Sequence, residues 1–146
     1  MKNLWPGKFE ESKVPSAKTL LEEQARLLPK LTGDMVFAEI TELDSLRDYK
    51  AKSEIDNEFM YKFSLRGRFL ENYNFNVFSF SHDITLYPVM FYLDEKLGAE
   101  LRIIKSVLDR YVASAQNQEE LEKFIDTILK SDRIKSVVGS IMRLSR

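Results

Sequence analysis

Apolar residues at every second position single out one segment. Phe59, Tyr61, Phe63, Leu65 and Phe69 fall on one side of an extended chain, and Lys62, Ser64, Arg66 and Arg68 fall on the other. Side chains of a β-strand alternate between faces, so the pattern predicts a strand with one face turned to a core. Gly67 is placed to make a bulge or bend, and Glu71-Asn72-Tyr73-Asn74 supplies turn chemistry for a hairpin. The next strand changes phase: Phe75 and Val77 point one way, Phe78 and Phe80 the other. Leu86 to Leu93 is apolar on both sides, as a central strand is. Pro88 has no amide hydrogen to donate and belongs at a strand start, an edge or a bulge. Upstream, Val36, Ala38 and Ile40 alternate with Phe37, Glu39 and Thr41, which makes Met35 to Thr41 a first strand. Residues 44–57 turn polar and are expected to connect the two, with Leu46, Tyr49 and Ile55 able to dip back toward the core.

Helical spacing takes over at both ends of the chain. Ser16 and Thr19 can both cap, Thr19 making a capping box with Glu22, ahead of a stripe of Leu20, Leu27, Leu28 and Leu31 widened by Leu21 and Ala25. Pro29 should bend or tighten that helix before Gly33 ends it. After Asp94, Leu97, Leu101, Ile104, Leu108 and Tyr111 recur at helical spacing and predict a second helix. A competing reading stops that helix near Lys105 and makes Val107 to Ala113 a short strand, because β-branched and aromatic residues favour one. Asn117 and Glu120 cap a helix carrying Leu121, Phe124, Ile125, Ile128 and Leu129. Ser131 or Asp132 starts another, with Ile134, Val137, Val138 and Ile141 facing inward.

These elements predict an α+β fold: an N-terminal helix, an antiparallel sheet of about four strands in meander order, and two or three C-terminal helices packed on the sheet. Residues 1–15 contain Pro6, Gly7, Pro15 and the isolated Trp5 and Phe9, and are expected to form an irregular arm of a single domain spanning 1–146. At 146 residues such a chain can bury a core without staples.

Composition narrows the chemistry. The chain has no cysteine, so disulfides, thiolate metal sites and a cysteine nucleophile are excluded together, and a cytoplasmic location is expected. No apolar run approaches the ~20 residues that span a bilayer, so no membrane insertion is expected. The 22 basic and 23 acidic side chains nearly cancel, leaving no global field for nucleic acid. The local exception is Lys130, Arg133, Lys135, Arg143 and Arg146, faced only by Asp132. The glycines are too dispersed for a Walker or dinucleotide loop, and with one histidine a metal would need several carboxylates, so no cofactor is expected.

His82, the sole histidine, stands beside Asp83 in the turn between two aromatic strands and is the candidate ligand or acid/base pair; capping of the turn is the plainer role for Asp83. The strand aromatics lie on the face opposite Lys62, Arg66 and Arg68, which argues for core packing over a platform for bases. The sheet carries more apolar side chains than one covering layer consumes, and surplus apolar surface marks contact sites. Trp5, Phe78, Phe80 and Tyr87 are therefore the candidate contact residues. Leu20-Leu21-Glu22-Glu23-Gln24-Ala25 and Leu27-Leu28, taken with His82-Asp83-Ile84-Thr85-Leu86-Tyr87-Pro88-Val89, make the chain similar to small bacterial proteins of helix, sheet, helix organisation and unassigned function. That resemblance implies no activity, cofactor or site residue. The sequence thus favours a protein-binding or regulatory role, with a protein partner or self-association as a homodimer, over an enzyme. One alternative is a small-ligand-binding protein or hydrolase whose pocket is lined by strand aromatics and His82; a second, less favoured, is nucleic-acid association through the basic C-terminal helix.

Overall fold

The computed structural model describes residues 1–43 and 57–146, so the expected connection, with Leu46, Tyr49 and Ile55, lies outside it apart from Asn57. Helix α1 runs Ala17–Leu31, and of the two possible caps it uses Ser16, whose side chain accepts from the Thr19 amide at 3.2 Å. Pro29 is accommodated in its last turn. The buried Thr32 ends the helix: its hydroxyl donates to the Leu28 carbonyl at 3.1 Å and accepts from the Val36 amide at 3.1 Å. Gly33 and Asp34 then take positive φ (57° and 63°), turning the chain into the sheet where glycine is the residue of least strain.

Among the described residues five strands follow: β1 (Val36–Glu42), β2 (Phe59–Gly67), β3 (Leu70–His82), β4 (Val89–Leu93) and β5 (Tyr111–Ala115). Their spatial order is their chain order, and every pairing is antiparallel, giving the expected meander with one strand more than expected. The described residues also form α2 (Glu95–Glu100), α3 (Gln118–Leu129) and α4 (Asp132–Leu144).

The hairpin between β2 and β3 turns earlier than its polar run suggested. Gly67 already pairs with Leu70, so Arg68 and Phe69 form the turn, and Phe69 is exposed instead of facing the core. Glu71 to Asn74 are absorbed as an irregularity of β3, where five steps from Leu70 to Phe75 match two from Gly67 to Leu65. A second shift explains the phase change. Phe63 pairs with Phe78 but Ser64 with Asn76, which makes Val77 the extra residue of a β-bulge. The bulge returns Phe78 and Phe80 to the face that already carries Phe75, so the three phenylalanines of β3 point toward the helices, while Tyr73 near the hairpin is exposed.

On that face Phe63 stacks on Phe78 and Tyr61 on Phe80, with ring centroids 5.2 and 5.1 Å apart; Phe78 meets Phe91 edge-on at 5.3 Å, and Phe91 reaches Phe124 of α3 at 4.8 Å. Leu21 of α1, Leu121, Ile125 and Ile128 of α3, and Ile134, Val137 and Ile141 of α4 close the layer. The opposite face is mostly polar. There Ser81 accepts from the Asn57 amide at 2.9 Å and shares a hydrogen bond with Tyr92 at 3.3 Å, which accounts for the second apolar side of β4.

Residues 97–112 do not form one helix. Helix α2 stops at Glu100, Arg102 and Asp109 take positive φ, and Ile104, Val107 and Leu108 are exposed despite their helical spacing. The alternative with a late strand is nearer, although β5 starts only at Tyr111. Packing sets that start: a Cβ on Gly98 would collide with the Tyr111 ring, so the absence of a side chain there lets β5 press onto α2. Helix α4 is anchored to the same place, for the Glu100 carboxylate accepts from the Asp132 and Arg133 amides at 2.8 and 2.9 Å. A carboxylate at a helix N-terminus satisfies orphan donors and complements the macrodipole.

Candidate functional site

The turn between β3 and β4 gathers three of the residues picked out by sequence, His82, Asp83 and Tyr87. His82 is 4% exposed and stacks on Phe59 at 5.4 Å, and its Nδ1 hydrogen-bonds the Asp83 carbonyl at 2.7 Å. Its Nε2 lies buried with no hydrogen-bond partner among the described residues. The Asp83 carboxylate does not meet the imidazole. It accepts from the Thr85 amide at 2.9 Å and from the Thr85 hydroxyl, and these bonds hold its pKa below the ordinary carboxylate value, with a smaller contribution from His82. Asp83 thus caps its own turn, the plainer of the two roles read from sequence, while the His82 ring packs on Phe59.

Tyr87 is half buried next to the cis Tyr87-Pro88 bond that precedes β4. Its hydroxyl donates to the Pro15 carbonyl at 3.4 Å, tying the root of the N-terminal arm to this turn. Burial first, and the Glu122 carboxylate second, push the Tyr87 phenol above its ordinary pKa. The same two causes act on Tyr61, where Glu42 and Glu22 are the nearby acids. Phe78 and Phe80, in contrast, are 2% and 0% exposed. The bulge at Val77 places them in the chain's own core rather than at the surface where a contact residue was expected.

Trp5 lies at the other extreme. Residues 1–14 are all exposed; Trp5 is 74% exposed and its only ring contact among the described residues is Phe9, at 5.8 Å edge to face. Leu4, Phe9 and Val14 are exposed with it.

A second exposed apolar region was not picked out by sequence. The stripe of α1 buries Ala17 and Leu21, which leaves Leu27 and Leu31 turned outward, Leu31 to 79%. Between α1 on one side and α3 and α4 on the other runs a groove made of three adjoining hollows of about 330, 250 and 330 Å³. Its middle section is lined by Leu27, Leu28 and Leu31 on one wall and Leu129, Ile134 and Val138 on the other, with Phe63 and Leu65 of the sheet as floor. Glu23 and Glu122 stand at the end nearest the start of α1. The sequence signal was the width of the α1 stripe: Leu20, Leu21, Leu27, Leu28 and Leu31 span more of the helix than one packed face uses.

The basic residues near the C-terminus are partly neutralised: Lys130 pairs with Asp126 at 2.6 Å, and Arg133 reaches Asp94 at 3.4 Å while lying over the Phe75 ring. Among the described residues no group of three or more acidic or histidine side chains is placed to hold a metal ion, and no helix is long and apolar enough to cross a membrane. Comparison with known protein families, with curated proteins and with solved structures finds no match to this chain.

Proposed function

We propose that this protein works by binding another polypeptide, self-association included, through the apolar groove between α1 and the α3–α4 pair. The observation that carries this reading is the outward placement of Leu27 and Leu31 over a groove whose floor is the aromatic core itself. Apolar surface open to solvent and continuous with a core is what a helix or extended segment covers on docking. A regulatory role and a cytoplasmic location belong to the same proposal, and the cysteine-free composition is compatible with that location. The pocket alternative finds less support, since His82 is enclosed by Phe59 and Tyr61 and its carboxylate neighbour is engaged elsewhere.

A photo-crosslinking amino acid at position 31, compared with one at the exposed position 123 of α3, tests the reading in cells. Discrete adducts at position 31 that fall at least tenfold when Leu27→Asp is added to the same chain support it. Adducts at position 31 no different from those at position 123 overturn it.

A further inference from the structure

We infer that two copies of this chain associate by exchanging arms, residues 1–14 of each lying in the groove of the other with Trp5 as the anchor. The inference rests on the reading of the groove as a polypeptide site and names its occupant. Each half of the contact is present in one chain and unused there. Leu4, Trp5 and Phe9 lie in solvent, and so do Leu27 and Leu31 of the groove wall.

Reach and area both fit. Fourteen extended residues span up to ~45 Å, whereas α1, at ~1.5 Å per residue, is only ~22 Å long. The arm can cross to a neighbour and still run the length of its groove. Aromatic side chains bury ~150–250 Å² each, so Trp5 and Phe9 at their exposures, with Leu4, remove on the order of 400 Å² per arm and cover a similar area of groove. Two exchanged arms then bury ~1,600 Å², the size of a stable, specific interface, and a two-fold axis makes both contacts identical.

Exchange is favoured over docking of the arm in its own groove by how the arm is rooted. Pro15 is tied to Tyr87 by its carbonyl, and Ser16 is extended (φ −77°, ψ 161°) as the helix cap. Leu20 and Glu23 at the start of α1 line the near end of the groove, which runs on along α1 to Leu31, so the arm begins beside its own groove but would have to double back at Pro15 and Ser16 to lie in it. The single chain leaves the arm in solvent. A second copy supplies the same groove at a distance that the arm can span without reversing at its root.

Trp5 is the sole tryptophan, so its emission reports the arm directly. Sedimentation of the full chain over a range of concentrations, with emission followed in parallel, should give a dimer with blue-shifted Trp5 fluorescence that reverts to a red-shifted monomer on dilution. Leu31→Asp and Trp5→Ala should each weaken the dimer at least tenfold without changing the far-UV circular dichroism. Mixing the two variants is the sharper measurement, because the only tryptophan then sits on the chain with the damaged groove. Exchange predicts that its emission shifts to the blue as the Trp5→Ala partner, whose groove is intact, is added. A monomer with blue-shifted emission overturns the inference in favour of self-docking, and a dimer indifferent to both variants overturns it in favour of another interface. A monomer with solvent-like emission overturns it as well; Leu27-dependent adducts of a different protein at position 31 would then show that the groove reading survives, and their absence that both fail.

Discussion

The middle of the sheet and the N-terminal arm are both rich in aromatic residues, yet one hides them and the other displays them. Tyr61, Phe63, Phe78, Phe80 and Phe91 are buried in cross-strand stacks, while Trp5 and Phe9 touch chiefly each other. Residue type does not separate the two regions; periodicity does. A strand repeats its face every second residue, so aromatics at that spacing add up to one continuous surface that helices can cover. In the arm, Pro6, Gly7 and Pro15 interrupt any repeat, and its aromatics share no face with neighbours.

The largest test of that contrast is Phe80→Ala, which should cost ~3–5 kcal/mol, against a change within ~0.5 kcal/mol for Trp5→Ala, both measured by denaturant unfolding at a dilution where the chain is monomeric and association adds nothing to stability. A large loss from Trp5→Ala would show that the arm packs on its own core and would erase the distinction. Gly98→Ala sharpens the core side, because the added methyl meets the Tyr111 ring. Overpacking of this kind costs ~1–3 kcal/mol, and thermal unfolding should register it as a lowered Tm.

Glu100→Gln should cost ~1 kcal/mol by removing the charge that caps α4, and added salt should shrink the difference from wild type. A salt-independent loss would point to packing instead. The smallest effect belongs to the β3–β4 turn. The folded state lowers the Asp83 pKa, so its contribution is present above the unfolded value of ~3.9 and is lost as pH falls through the folded one. Wild type and Asp83→Asn should therefore differ slightly in Tm near neutral pH and converge in acid; a gap that persists below that range would assign the effect to something other than the carboxylate.

Much of the fold was legible because its signals are local. Asn117 accepts from the Glu120 amide at 2.9 Å, as the cap before Leu121 implied, and the alternation from Phe59 to Leu65 is a strand with its aromatics inward. The failures share a cause. The bulge at Val77 is a matter of register between two strands, and no spacing within β3 alone tells a phase change from an insertion. Ile104, Val107 and Leu108 have helical spacing but no surface to pack on, since the chain turns away at Arg102 to place Tyr111 over Gly98. The groove was hidden for the same reason. Leu27 and Leu31 look like core positions until the distance between α1 and α4 is known, and that distance is a property of three elements together.

Helix α4 lies late in the chain and yet packs on β1, β2 and β3, with Ile141 against the bare backbone of Gly67. At ~5–20 residues per second, α4 is made several seconds after the last residue of β3, so the part of the sheet that α4 covers cannot be closed by it until the chain is almost entirely synthesised.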